Sequence, residues 1–197
     1  MIHLIRHGRS SHAHDGRWFT APTVSRYEDA YDAAGIRDDS HPPPALVDLA
    51  ARADVVAASD LARAIASVRR LVPEREPEIV PEMRELRLEP PRWVPVPLPI
   101  EVWDAMSYVQ WSWRLARDAD HEYSRRAGAA AHWLLSRAAN GASVVAVTHG
   151  GIRRIIARHL ERLGCAARTG KRTHENWSSW SYALPATVTR AGSPRSG

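Results

Sequence analysis

Two places in this 197-residue chain end an apolar run with a histidine followed by glycine: Leu4-Ile5-Arg6-His7-Gly8 and Ala146-Val147-Thr148-His149-Gly150. An imidazole at such a place is presented where a buried strand turns back to solvent. A neutral imidazole is a good nucleophile toward phosphorus and can carry a covalent intermediate. Arg6, beside His7, offers a planar fork that matches phosphoryl oxygens. Its charge also disfavours an imidazolium, which keeps the nucleophile neutral near pH 7. His149 precedes two glycines that open a helix, whose free N–H groups and partial positive charge suit an anion. A second histidine there can hydrogen-bond a phosphoryl oxygen, with the backbone of Gly150 close to it. Phosphoryl transfer needs positioning and charge stabilisation above all. Arg63, on the first turn after Ser59-Asp60-Leu61-Ala62, is placed to add charge. Departure of a leaving group needs a general acid, and the candidates are Glu82, Glu85 and Glu89. Ser10 is either a phosphate contact or a turn residue. Taken alone, Arg63 also reads as a solvated helix residue, and Glu85 as a surface ion-pair residue.

These groups need elements to hold them. Ile2–Ile5, Val55–Ala58 and Ser143–Val147 read as short buried strands, with a further one over Glu78–Val80. Helices are expected over Ser25–Ala34, Ala45–Arg52 (opened by Pro43 and Pro44), from the Ser59-Asp60 cap to Leu71, Ile100–Arg117, His121–Ala139 and Gly150–Leu163. Gly164 stops the last of these. Residues 165–180 read as loop, and Tyr182–Thr189 as an edge strand. Glu89–Pro99 contains five of the chain's 14 prolines. It can be neither a long helix nor a central strand, and reads as an extended loop belonging to a substrate lid over 89–120. Strands alternating with helices imply an α/β fold: a three-layer α/β/α sandwich with a mostly parallel central sheet. In such sheets ligands bind beyond the carboxyl ends of the strands. The length suits a single domain over 1–190, with 191–197 a disordered tail.

Composition bounds the function. Hydrophobic residues make up 44% and charged residues 25%, as in a globular protein with a real core. No stretch approaches a membrane span and no cleavable leader is recognisable. The one cysteine, Cys165, cannot form an internal disulfide and reads as a packing residue, which suits a reducing, cytoplasmic home. The formal charge of +5 comes almost wholly from scattered arginine, with no run of five basic residues. A nucleic-acid partner is therefore the last-ranked reading. His12 and His14 are a tempting metal pair, but neither Cys nor a second acidic cluster lies near them in sequence. Trp93, Trp103, Trp111 and Trp113 crowd one region, with core packing as their main use and an aromatic wall for a planar leaving group as the other. Glu175-Asn176-Trp177 could reach the pocket.

Four segments taken together resemble the histidine phosphatase superfamily. They are Arg6-His7-Gly8, Ser59-Asp60-Leu61-Ala62-Arg63-Ala64, Met83-Arg84-Glu85-Leu86 and Thr148-His149-Gly150-Gly151. Their order and approximate spacing match over residues 1–160, and the combination is far more specific than any one of them. The resemblance implies a phosphoglycerate-mutase-like fold, with His7 as the phosphorylated nucleophile. Arg6, Arg63 and His149 would bind the phosphoryl group, Glu85 would be the proton donor, and there would be no metal or other cofactor. It implies a phosphomonoesterase acting on a small phosphorylated metabolite, as a monomer or homodimer. A mutase or a repurposed phospho-ligand binder are the alternatives. The chain departs from the family pattern in three places. Arg9-Ser10-Ser11-His12-Ala13 stands where Glu-Thr and a later Asn are usual. The Leu-Thr-x-x-Gly-x-x-Gln-Ala segment is unrecognisable. Prolines replace the glycines that often follow the acid.

Overall fold

A computed structural model of the chain describes residues 1–12, 16–91, 93–117, 121–170 and 172–185. The strands are β1 (Ile2–Arg6), β2 (Trp18–Phe19), β3 (Val55–Ala58), β4 (Glu78–Ile79), β5 (Leu98–Pro99), β6 (Val144–Thr148), β7 (Ala166–Ala167) and β8 (Ser179–Ala183). The helices are α1 (Ala21–Ala33), α2 (Pro44–Ala51), α3 (Ala62–Leu71), α4 (Ile100–Arg117), α5 (Glu122–Arg137) and α6 (Gly150–Arg162). The main sheet runs in the order β4-β3-β6-β1-β8-β7. Its first four strands are parallel, β8 is antiparallel to β1, and β7 is antiparallel to β8.

Period-two alternation divides the sheet between two apolar layers. Ile2, Leu4, Ala57, Val144 and Ala146 face α5 and α6, packing on Ala127, Ala131, Leu134, Ile152 and Ile156. Ile5, Val56, Ala58, Val145 and Val147 face α2 and α3, packing on Leu46, Ala50, Ala64, Val68 and Leu71. Each fully buried Ile, Val or Leu here contributes about 1.5–3 kcal/mol relative to exposure. The result is the α/β/α sandwich that the alternating elements predict. Strand register then places the chemistry. Arg6 of β1 lies opposite Thr148 of β6, so His7 and His149 leave neighbouring strands at the same level.

Some elements differ from their expected form. The first helix begins at Ala21, not Ser25. Pro22 presets the backbone of its first turn, and the Thr23 hydroxyl accepts the Thr20 N–H at 2.9 Å. Ser59-Asp60 does not cap α3, whose N-cap is Leu61, because the Ser59 hydroxyl is used elsewhere. The last strand begins at Ser179 and is not an edge. It lies between β1 and β7, with Trp180 and Tyr182 buried. The aromatic pair alternates inward on a two-sided strand, so the start was masked by the polar serines between. Positions 186–189 of that expected strand, His14, and the expected tail all lie outside the described residues.

The proline-rich loop ends in β5, which pairs with β2, and leads straight into α4. Ile100 and Trp103 of α4 pack on Ala21 and Val24 of α1. Trp111 joins the α5/α6 core, in line with core packing, while Trp93 and Trp113 are exposed. Cys165 is buried as a free thiol. No described helix is long and apolar enough to cross a membrane.

Candidate active site

His7 follows β1 directly, and its N–H donates to Thr148 O at 3.0 Å, extending the ladder by one residue. The ring is 2% exposed. Its Nδ1 lies 2.6 Å from the carbonyl oxygen of Gly8. A carbonyl only accepts, so Nδ1 carries the proton and Nε2 keeps its lone pair. Burial lowers the ring's pKa to about 3, and the Arg63, Arg6 and Arg153 cations add to the effect against the Gly8 hydrogen bond. His7 is thus a neutral imidazole of defined tautomer, with its lone pair on Nε2.

The turn after it is closely held. A Cβ on Gly8 would lie 2.5 Å from the Trp177 ring and 2.9 Å from Ser40 Oγ. Only glycine fits without a shift. Gly8 N–H donates to Ser67 Oγ at 2.9 Å, and the Ser67 hydroxyl donates to Arg63 O at 2.6 Å within α3. Ser40 Oγ accepts from Arg9 N–H at 2.8 Å and from the Trp177 indole at 3.0 Å. Asn176 Nδ2 donates to His7 O at 2.9 Å. Glu175-Asn176-Trp177 therefore lies behind the His7 backbone, and Ser40, Ser67 and Trp177 are supports that the sequence did not reveal.

His149 ends β6 and is the N-cap of α6, wholly buried. Its ring lies 5.0 Å from that of His7, centroid to centroid, tilted by 53°. Nε2 is 2.5 Å from Ser59 Oγ, which also accepts from Leu61 N–H at 3.4 Å. The Ser59 hydroxyl can serve Nε2 either as donor or as acceptor. Nδ1 is buried and has no partner among the described residues. Burial holds the His149 pKa well below its ordinary value, helped by His7, Arg63 and Arg6. An unpartnered buried Nδ1 beside the His7 lone pair is suited to a polar ligand lying between them.

Two arginines complete the group. Arg63, second in α3, is 1% exposed and donates to Tyr31 O at 3.0 Å and Asp32 Oδ1 at 3.1 Å. Its guanidinium lies 4.2 Å over the Tyr31 ring, and its Nε is buried without a partner. Arg6 donates to His174 O, and its guanidinium rests against Gly150 at the α6 N-terminus. Ser10 lies in an isolated bridge to Ile36, with its hydroxyl accepting His12 N–H at 3.2 Å, a turn contact. His12 packs edge-on against Tyr27 and Tyr31.

Of the three glutamates, Glu85 is the one brought to the α6 N-terminus, beside His149. Oε2 accepts Gly151 N–H at 3.0 Å, and Oε1 accepts Ile152 N–H at 2.9 Å and Leu86 N–H at 2.9 Å. A Cβ on Gly151 would lie 2.7 Å from Oε1, so the second glycine of the turn makes room for this carboxyl. Glu89 is instead bound by Arg114 and by the Tyr123 hydroxyl. One acidic group was missed. Burial, and then the Glu85 carboxylate, push the Asp104 carboxyl up, while Arg6 and Arg154 pull it down. Asp104 sits on α4 amid tryptophans, with no motif to mark it.

Two buried neutral histidines have a consequence for stability. Their folded pKa values lie below the unfolded value near 6.5, so the unfolded chain binds more protons once the pH drops under it. The stability they allow is complete above pH 6.5 and is lost as pH falls toward about 3. Each uncompensated proton is worth about 1.4 kcal/mol per pH unit. Urea midpoints measured from pH 7 to 4.5 should fall steeply, and less so in His7→Gln. An unchanged slope in that variant would refute the buried neutral ring.

No family model matches the chain, and no curated protein is similar to it. Solved structures are. A mycobacterial glucosyl-3-phosphoglycerate phosphatase superposes with a TM-score of 0.51 at 17% identity, over 82% of this chain and 79% of that one. A phosphoserine phosphatase from Entamoeba histolytica gives 0.46 at 14% identity over 82% and 79%. Identity this low speaks for architecture alone, and by that architecture the chain has a phosphoglycerate-mutase-like fold.

Proposed function

We propose that the chain is a metal-independent phosphomonoesterase that works through phospho-His7. The observation that carries this reading is a buried, neutral His7 with its lone pair on Nε2, 5.0 Å from the His149 ring between ring centres, with Arg63 and Arg6 around them. In the proposed mechanism His149 carries its proton on Nδ1, with the Ser59 hydroxyl donating to Nε2. In the first step the Nε2 lone pair attacks phosphorus and the bond to the ester oxygen breaks. His149 Nδ1–H and the two guanidinium groups hold the phosphoryl oxygens as their charge shifts. Glu85 protonates the departing oxygen. Its two oxygens accept three backbone N–H groups, which leaves one lone pair of Oε2 to hold the transferred proton. In the second step Glu85 takes a proton from water. The water oxygen attacks the phosphoryl group, the P–Nε2 bond breaks, and inorganic phosphate and neutral His7 are regenerated. The shared fold with a phosphatase of a small sugar-linked phosphate supports a small phosphorylated metabolite as substrate.

The test is release of inorganic phosphate from a panel of phosphomonoesters, with EDTA present. Undiminished release in EDTA is expected, continuing to acid pH because His7 stays neutral there. No release by folded protein, or release only after a metal is returned, would refute the reading.

A further inference from the structure

Arg153, the fourth residue of α6, is fully buried and faces no carboxylate among its hydrogen-bond partners. Its guanidinium donates to four neutral acceptors: Ser178 O at 2.7 Å, Leu4 O at 3.5 Å, Ser178 Oγ at 3.0 Å and Thr173 O at 3.3 Å. It lies 4.1 Å over the Trp180 ring. Burying a cation without a counter-charge is costly, and a hydrophobic residue would fill this place in α6 at no such cost. The acceptors show what the arginine holds. Thr173 and Ser178 are the two ends of a turn, and residues between or at them hold the C-terminal end of β1 and the His7 backbone. His174 O takes the Arg6 guanidinium. Asn176 Nδ2 holds His7 O at 2.9 Å, Trp177 N–H holds Arg6 O at 3.0 Å, and Ser178 O takes Arg6 N–H at 3.0 Å. Ser178 O thus accepts from both Arg6 and Arg153. The Trp180 indole donates to Thr173 O at 3.0 Å, fixing the same end from the strand side. Trp177 sits in the left-handed region at φ 62°, a conformation that needs its surroundings to hold it.

We infer that Arg153 is a positioning residue that clamps both ends of the 173–178 turn and thereby aims the Arg6 fork and the His7 backbone at the phosphoryl site. Its remaining burden, an unpaired buried charge, adds to the positive field that an anionic ligand meets. The inference rests on the phosphatase reading for its meaning, but the clamp can be tested through ligand binding alone.

The experiment is a double-mutant cycle on inorganic vanadate binding, read beside phosphate release by the wild type. Arg153→Met should weaken vanadate binding about tenfold, as for loss of hydrogen bonds from a buried charged group. In an Arg6→Met background the same change should cost less than about threefold, because the fork it aims is gone. Arg153→Lys keeps charge without the two-ended fork and should resemble Arg153→Met. If Arg153→Met does not fold, Ser178→Ala enters the cycle in its place. Equal losses in both backgrounds, or full rescue by Lys, would overturn the clamp. Failure of the wild type to release phosphate while the cycle holds would refute the phosphatase reading and leave the clamp standing.

Discussion

His7→Ala should lower the rate of phosphate release by at least about 10⁴-fold, the scale of losing a covalent nucleophile. No neighbouring group can take over. His149 is the nearest imidazole, but its Nε2 is engaged by Ser59, and in the proposed mechanism its Nδ1 is the donor to the phosphoryl group. Arg6 and Arg63 remain in place, so vanadate binding should survive in the variant. The complementary measurement is rapid quench with labelled substrate. The wild type should yield a protein-bound phosphoryl group that is stable in alkali and lost in acid, and His7→Ala should yield none. Residual turnover above about one per cent of wild type would place the nucleophile elsewhere.

Arg63→Met should reduce kcat/KM by about 10²- to 10³-fold, the loss seen when a preorganised transition-state donor is removed. A second effect is more diagnostic. The Arg63 cation stands second only to burial among the causes that lower the His7 pKa to about 3. Removing it lets that pKa rise toward the ordinary value. Activity requires the neutral ring, so the acid limb of the kcat/KM profile should move to higher pH. Arg63→Lys should restore the position of the limb but not the rate. An ammonium supplies the charge, yet it cannot hold Tyr31 O, Asp32 and a phosphoryl oxygen from one rigid plane. A variant profile that keeps the wild-type limb would show that Arg63 does not face His7.

What could be read from the sequence was what local pattern encodes. Ile2–Ile5 and Val144–Val147 are continuous apolar runs bounded by a basic turn and a His-Gly, and they are the adjacent parallel strands β1 and β6. The Ile100–Arg117 helix was visible from its length between a proline loop and a charged break. The supports of the reactive turn were not visible, because each is a contact between distant segments. Ser40 and Trp177 meet across 137 residues of chain, and Gly8 packs against both. Ser59 had the look of a helix cap, and a serine hydroxyl beside a helix start is usually that. Its other partner, His149, comes 90 residues later. Asp104 lies on a helix whose pattern announces packing, and the environment of a carboxyl is not written in its neighbours. Glu85 came from a resemblance in Met83-Arg84-Glu85-Leu86, and its seat on the α6 N-terminus explains why Gly151, the second residue after His149, is a glycine.

The place of β1 in the sheet has a consequence for how the molecule is made. It precedes the other strands of its sheet in sequence, yet its two neighbours are β6 and β8, with Ile2 facing Val144 on one side and Tyr182 on the other. Such long-range pairings close late and slowly. During synthesis the apolar Ile2–Ile5 segment must therefore wait, unpaired, until β6 and β8 have emerged. The strand that carries His7 at its end is translated before its partners and built after them, and the growing chain exposes an aggregation-prone edge in the interval.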